Sequence, residues 1–384
     1  MSLYSYSLQI EKYQEEILKA IEAHKTTIIK GPTGCGKSTF IPFLLKDKVV
    51  AIIEPRRIAV TSLYSILAQK IENLGYKMRF SKKCNESTRI TIFTDGTFLN
   101  NIHDLDYDYI IVDEVHERSV RTDLILSILK TNYKNKLILM SATLNTKKLQ
   151  DFFKAFVYEI PGEGHPVDVK YLDIPTSDYV TECYLAIKSI IKNRDRAEKK
   201  DILVFLPGEE DINDVYKLCK KLPVVVPYKV HSTMNDKDQL KIYEKSDLTK
   251  VILSTNICET SLTIPNIKYV IDTGLYKNKT FDRLSFLGIQ AISRDSAIQR
   301  MGRCNRLGPG VCFRLYVSSQ QLPLYCPAIL RSDLTTVILF ITNLKKNIFT
   351  FEFIDYPPIK NIQAAIEFLI DKKCIVILYK NTKV

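Results

Sequence analysis

The chain has 384 residues, 46% of them hydrophobic, and no low-complexity tract, so it is long enough for two or three domains with separate cores and is neither a disordered tail nor a disulfide-stapled miniature. Nine cysteines (35, 84, 183, 219, 258, 304, 312, 326, 374) are scattered without a Cys-x2-Cys pair, residues 1–13 lack a secretory pattern, and the longest apolar runs, such as 337–341, are far too short to cross a bilayer; an intracellular protein with reduced thiols and no structural zinc is expected. A net charge of +12 and a pI near 9.1 favour a polyanionic partner.

Ile10, Tyr13, Ile17, Leu18 and Ile21 recur at helical spacing, which predicts an amphipathic helix over 8–23. The β-branched run 26–29 then enters Gly31-Pro32-Thr33-Gly34-Cys35-Gly36-Lys37-Ser38, followed by Thr39, a fit to Gly-x4-Gly-Lys-Ser/Thr. Glycines let successive backbone N–H groups turn toward one point, Lys37 brings a cation to the β- and γ-phosphates, and the Ser38 hydroxyl is suited to Mg²⁺. The helix that opens at Ser38 and runs to about Leu45 also presents its positive end to the anion. A glycine turn with a surface lysine is the bland alternative; four fixed positions meet by accident in only roughly one such chain in a hundred.

Short apolar runs follow at 49–53, 90–93, 109–112 and 137–140, most of them separated by helix-length segments. Continuous apolar strands with helical crossovers predict a parallel sheet covered on both faces, whose ligands gather at the carboxyl ends of the strands. Polar groups stand at those ends: Glu54-Pro55-Arg56-Arg57, Thr94-Asp95-Gly96, Asp113-Glu114 and Ser141-Ala142-Thr143. Asp113 is assigned mainly to the metal and Glu114, the second carboxylate of the shell, to the attacking water. His116 is spaced to face the Ser141–Thr143 strand end. An isolated Asp-Glu pair would otherwise be an exposed helix start.

Residues 158–171 loosen into the Pro- and Gly-rich 161–166, read as a linker. A second strand series begins at 201–206 and continues at 224–230, 251–254, 269–272 and 311–316, with no second Gly-Lys-Ser; one nucleotide between two α/β lobes is therefore expected. The charged run 192–201 is a solvated helix end. Gln299-Arg300-Met301-Gly302-Arg303-Cys304-Asn305-Arg306 spaces arginines three apart, on one face of a helix, so that a second lobe could deliver them to a γ-phosphate. Alone, such a run would be a basic surface patch.

In this order the motifs resemble those of the DEAH/DExH-box RNA helicases of superfamily two: 31–43 as motif I, 54–60 as Ia, Thr94-Asp95-Gly96-Thr97 as Ib, Asp113-Glu114-Val115-His116-Glu117-Arg118 as II, Ser141-Ala142-Thr143 as III, 202–212 as IV, 254–264 as V and 299–306 as VI. The resemblance implies an α/β protein of two tandem RecA-like parallel-sheet domains (1–160 and 161–320) followed by a partial winged-helix segment (321–384). It implies ATP or another NTP with Mg²⁺ driving 3′-to-5′ movement on single-stranded RNA, unwinding of duplexes with a 3′ overhang, or remodelling of ribonucleoprotein particles, by a monomer with no membrane partner. By family frequency the service is nuclear splicing.

Residue by residue, the resemblance gives phosphate and metal contacts to Lys37 and Ser38, and the water to Glu114. It gives γ-phosphate contacts to Gln299, Arg303 and Arg306, and coupling to His116, Ser141 and Thr143. RNA-backbone contacts fall to Arg56, Arg57, Thr94, Gly208 and Thr260, and base stacking to Tyr243. The chain departs from the pattern at Val115 (alanine in the eponymous motif), at Asn305 (glycine, a position for positive φ), and at Ile66, where the family often has an arginine beside the base. Ratchet helices and an OB-fold find no match here, so activators that dock on an OB-fold are not expected. Two alternatives use the same residues: a nucleotide-gated RNA clamp that unwinds weakly, and a DNA helicase on the same scaffold.

Overall fold

The computed structural model describes residues 9–375 except 33, 143–145, 163–164, 195–199, 260–263 and 283. Strands β1 Thr26–Lys30, β2 Val50–Glu54, β3 Leu74–Met78, β4 Ser81–Lys83, β5 Ile90–Thr94, β6 Tyr109–Val112, β7 Lys136–Ser141 and β8 Phe156–Glu159 form one sheet in the order β4-β3-β5-β2-β6-β7-β1-β8. All its pairings are parallel except β3 with β4. A second sheet contains β9 Val167–Tyr171, β10 Asp201–Phe205, β11 Val225–Val230, β12 Thr249–Ser254, β13 Ile267–Asp272 and β16 Gly310–Arg314 in the parallel order β11-β12-β10-β13-β16-β9. An antiparallel hairpin, β14 Leu275–Asp282 with β15 Leu284–Ala291, projects between β13 and β16.

Both main sheets are covered on two faces, and the side-chain period of two shows how. In β1, Ile28 packs into the cluster with Phe93, Leu124 and Leu139, while its neighbour Ile29 joins Ile17, Ile52 and Met140 on the other face. In β10, Ile202 and Val204 turn one way and Leu203 and Phe205 the other. The amphipathic N-terminal segment is a 3-10 turn Gln9–Tyr13 and then helix Gln14–Ala23, with Ile17 and Ile21 buried.

Three sequence expectations change here. The linker is narrower than 158–171, because the stretch supplies β8 to the first sheet and β9 to the second. The hairpins β3–β4 and β14–β15 were not anticipated. After Arg314 the described residues hold a 3-10 turn Ala328–Leu330 and helices Thr335–Asn343 and Ile359–Asp371, and no strand, so no wing is formed among them. Those helices do not stand apart as a separate body: Ile329, Val337, Ile338, Ile362 and Leu369 share one apolar cluster with Leu124, Ile128 and Leu139 of the first lobe.

Candidate active site

Between β1 and helix Lys37–Leu44 the chain turns on Gly34 at φ 84° and Gly36 at φ 103°, backbone angles that a side chain would strain. The turn folds around its own lysine: Lys37 is buried and its Nζ donates to the Gly31 carbonyl at 2.6 Å and the Pro32 carbonyl at 2.9 Å. A bound phosphate would exchange for those carbonyls. Cys35 is buried against the same ammonium, its Sγ 3.7 Å from Nζ. Thr39 Oγ1 donates to the Gly36 carbonyl at 3.1 Å, closing the first helical turn. The loop is fixed to the sheet by the Gly31 N–H, which donates to the Ser141 carbonyl at 3.2 Å.

Ser38 Oγ donates to Asp113 Oδ2 at 2.5 Å, so the hydroxyl and carboxylate expected to share a magnesium ion already face each other. Among the described residues no three His, Cys, Asp or Glu side chains make a metal cage. That fits magnesium, which takes one or two protein oxygens and completes its shell with phosphate and water. Glu54, at the end of the neighbouring β2, is buried beside Asp113 and Glu114. Burial pushes the Glu54 carboxyl well above its ordinary range, and the adjacent Asp113 and Glu114 add to it. Burial and then Glu114 raise Asp113 to about 6, against the pull of Ser38 and Lys37. Glu114 is raised by burial and Glu117, while Lys37, Arg303 and Arg56 oppose the shift. Buried acids crowded beside a phosphate loop are a site that gains from a cation.

The turn after β6 is strained at the candidate water-activating residue. Glu114 (φ 50°) and Arg118 (φ 40°) are left-handed on either side of the 3-10 turn Val115–Glu117, at about 1–3 kcal/mol each. Val115 is fully buried in the core, which accounts for a β-branched residue there. His116 Nδ1 accepts from the Ala142 N–H at 3.4 Å and lies 3.5 Å from Glu114 Oε2, while its buried Nε2 has no hydrogen-bond partner among the described residues. Burial lowers its pKa, so the ring is neutral near pH 7. Ser141 is buried at the end of β7; Thr33, Thr143 and Thr260 lie outside the described residues.

From the second lobe, helix Arg294–Met301 starts on Ser293, whose side chain accepts from the Ser296 N–H, and stops at Met301. Arg303 and Arg306 therefore follow the helix rather than continuing one helical face, and it is the turn beyond it that carries them to the phosphate loop. A Cβ built on Gly34 would meet Arg306 Nε at 3.2 Å. Arg303 is buried, donates to the Glu259 carbonyl and is close enough to Glu114 for each to feel the other's charge. Burial and the neighbouring Arg306 pull its guanidinium down to about 9. Two crowded cations facing buried acids across a seam make an anion seat of the kind a γ-phosphate would fill. Gln299 is buried on the helix itself. Asn305 avoids the left-handed region expected for it; instead its Nδ2 donates to the His165 carbonyl at 2.9 Å, tying the turn to the linker.

The expected RNA contacts separate. Arg56 is engaged between the lobes: it donates to Glu117 Oε1 at 3.1 Å and to the Ile257 carbonyl at 2.8 Å, while Ile58 packs among second-lobe residues. Arg57 is exposed and donates to the Arg79 carbonyl at 2.7 Å. Thr94 ends β5 with its hydroxyl 2.9 Å from that of Thr97. Gly208 caps helix Glu209–Cys219 beneath Lys277, whose side chain would meet a Cβ there at 2.8 Å. Tyr243 is 38% exposed on the 3-10 turn Lys241–Tyr243, and Ile66 is half-buried on helix Arg57–Leu67.

Sequence reading gave Arg118 no role of its own and counted Arg300 only among the three spaced arginines that a second lobe could bring to a phosphate. Arg300 is fully buried, donating to Glu259 Oε2 at 3.0 Å, to Asp272 Oδ1 at 2.7 Å and to the Leu275 carbonyl at 3.2 Å, with its guanidinium over Phe205. The signal was present, since an arginine on the inward face of a helix needs buried acids. Those acids, Glu259 and Asp272, are 41 and 28 positions away.

Comparison with known proteins agrees with this geometry. The family described as DEAD/DEAH box helicase matches residues 11–152, and that described as Helicase conserved C-terminal domain matches residues 183–308. The chain is 32% identical to the ATP-dependent RNA helicase HrpA of Escherichia coli, over 95% of this chain and 30% of that protein. It is likewise 32% identical to the ATP-dependent RNA helicase DHX33 of Mus musculus, over 95% of this chain and 58% of that protein. It therefore spans roughly a third to three-fifths of these relatives' lengths. The crystal structure of the Escherichia coli DEAH/RHA helicase HrpB superposes with a TM-score of 0.86 at 29% identity, covering 95% of this chain and 50% of that one, and the two sheets are the tandem RecA-like pair. With both helicase halves in order and their phosphate loop, acids and arginines meeting at one seam, the chain belongs to the DEAH/DExH-box helicases of superfamily two.

Proposed function

We propose that this chain is an ATP-dependent RNA helicase or translocase, moving 3′-to-5′ on single-stranded RNA and separating duplexes or remodelling ribonucleoprotein. The observation that carries the reading is Arg306 of one lobe lying against Gly34 of the other, with Arg303 beside Glu114. In this reading Gly31 to Ser38 and Thr39 cradle the phosphates, Lys37 leaves its loop carbonyls for the β- and γ-phosphates, and Ser38 with Asp113 holds Mg²⁺. Magnesium supplies charge neutralisation on the phosphate oxygens. Glu114, in its strained turn, takes the proton of the attacking water, and Gln299, Arg303 and Arg306 meet the charge that develops on the γ-phosphate. Neutral His116 passes the state of that carboxylate to Ser141 and Thr143.

For RNA, Arg57, Thr94, Gly208 and Thr260 serve as backbone contacts, a grip indifferent to sequence, and Tyr243 stacks on the nucleotide base. Arg56 is better suited to a strut between motifs II and V, given its partners. The relatives come from bacteria and mouse alike, so kinship does not favour nuclear splicing over another RNA pathway.

NTP hydrolysis with and without oligouridine, paired with strand displacement on a 3′-overhang duplex, tests the proposal. RNA-stimulated turnover with displacement is the expected result. Stimulated turnover without displacement would make the chain a nucleotide-gated clamp. Equal stimulation by the matching DNA would move it to the DNA helicases.

A further inference from the structure

At the end of the first sheet opposite the phosphate loop, a cleft of about 540 Å³ is lined by Lys25, Lys48, Lys134 and Lys136 with Asp108, Tyr109 and Asn135. These residues stand at the amino ends of β1, β2, β6 and β7, four strands that lie side by side in the order β2-β6-β7-β1. With strands ~4.8 Å apart, the row of cations runs ~14 Å across the sheet. The backbone under it is fixed: the Leu137 N–H donates to the Lys25 carbonyl at 2.9 Å and the Lys136 N–H to the Asp108 carbonyl at 3.2 Å. Lys136 is held by the Glu22 and His24 carbonyls, and the Asp108 carboxylate is engaged by the Val49 N–H at 2.9 Å. Lys25, Lys48 and Lys134 are exposed and have no acidic partner among the described residues. Four ammoniums, Lys25, Lys48, Lys134 and Lys136, share one concavity with a single carboxylate, Asp108, so positive charge is left in excess and its mutual repulsion is a cost that an external polyanion would remove.

We infer that this cleft is a second nucleic-acid contact, a seat for about three consecutive phosphates of an RNA strand longer than the stretch held at the carboxyl ends of the strands; the inference rests on the reading of the chain as an RNA-dependent motor. An extended row of lysine point charges suits a phosphate backbone, which asks for charge at intervals and no base readout. A long RNA then meets the first lobe at both ends of its sheet, and a short one at the carboxyl ends alone.

Fluorescence anisotropy over a salt series, with oligouridines of ~10 and ~40 nucleotides, compares the full chain with the triple variant Lys25→Glu/Lys48→Glu/Lys134→Glu and with a charge-matched control, Lys188→Glu/Lys192→Glu/Lys220→Glu. For the long RNA, the variant's log-affinity against log-salt slope is expected to shrink by about two, since each single-strand phosphate contact contributes ~0.7, with at least a tenfold loss of affinity at the lowest salt. Short-RNA binding and RNA-independent hydrolysis stay as in the parent, and the control variant keeps the parent's slope. A long-RNA slope unchanged in the variant, an equal loss in the control, or a variant that loses affinity for polyglutamate instead of long RNA would each overturn the inference. If the parent binds neither oligonucleotide, the functional reading fails as well, a result distinct from these.

Discussion

Arg118 Nη2 donates to Asp355 Oδ2 at 2.6 Å across 237 positions of sequence, joining the turn that carries Glu114 to the C-terminal segment. The same guanidinium grips Asp123 through two bonds of 2.6 and 3.0 Å, its backbone carbonyl accepts the Ala328 N–H at 3.1 Å, and Tyr325 donates its hydroxyl to the Glu117 carbonyl. The acid turn is thus tied to the segments that lead into helices Thr335–Asn343 and Ile359–Asp371. Asp355→Ala leaves Arg118 its Asp123 partner but frees Lys148 and one side of the fork. The expected loss is about 2 kcal/mol, less than for an orphaned buried charge. Urea unfolding should show an earlier midpoint, with protease cleavage appearing first beyond residue 320; an unchanged midpoint would remove the pair as an anchor.

Arg300 fixes the helix whose end launches Arg303, so its geometry should matter to turnover. Truncation to alanine would leave Asp272 and Glu259 buried and uncompensated, at about 3–5 kcal/mol, and would confuse folding with function. Arg300→Lys keeps the charge but cannot span both carboxylates and the Leu275 carbonyl. Its kcat per folded molecule is expected to fall about tenfold while KM for nucleotide moves by less than about threefold, the split that displacement of a transition-state group produces. A kcat equal to the parent's after correction for folded fraction would reduce Arg300 to a structural role.

The sheet strands and the acid and phosphate-loop ends were legible because each is a local signal. A β-branched run such as 26–29 or 109–112 announces a buried parallel strand, and the residue after it is at a carboxyl end by construction. What was not legible depended on distance. Arg56 looks like any other arginine of its motif until Ile257, 201 positions away, supplies the carbonyl that engages it. The hairpin of β14 and β15 was hidden because neither strand alternates cleanly, β14 (Leu275–Asp282) clustering Lys, Asn and Thr at its centre and β15 (Leu284–Ala291) placing Gly288 in its middle, and Asn305 was read by analogy with glycine when its side chain had a specific carbonyl to find. The placement of the last helices on the first lobe was invisible because apolar periodicity says which face is buried and never against what.

The acids at the site give folding a pH dependence that magnesium should erase. Glu54 is held above its ordinary range by burial and by Asp113 and Glu114, so the folded protein binds a proton there more readily than the unfolded chain does. The burden on stability is absent below about pH 4.5, grows as pH rises, and is complete above the raised folded value. Asp113, raised to about 6, adds to the same slope. Glu54→Gln removes the largest part while keeping the shape. In magnesium-free buffer the variant should melt above the parent at pH 8, with the difference vanishing near pH 4.5. Parallel melting curves at both values would mean that Glu54 is ionised at little cost.

In the proposed mechanism Glu114 and Arg306 divide the chemistry between the lobes, and two substitutions separate their tasks. Glu114→Gln preserves the size of the side chain but removes the proton acceptor, so nucleotide should bind as in the parent and remain unhydrolysed, leaving the lobes closed. Arg306→Ala removes a cation that lies against Gly34 and that, in the proposed reading, meets the end of the phosphate chain, where charge accumulates only as the bond breaks. Removing an arginine of this kind costs on the order of 10³ in kcat, with nucleotide affinity changed little. Stopped-flow binding of a fluorescent nucleotide, followed by single-turnover hydrolysis, reads the two quantities separately. If Arg306→Ala weakens binding as much as it slows turnover, its guanidinium contacts the ground state, and the approach of the lobes seats the nucleotide without driving its cleavage.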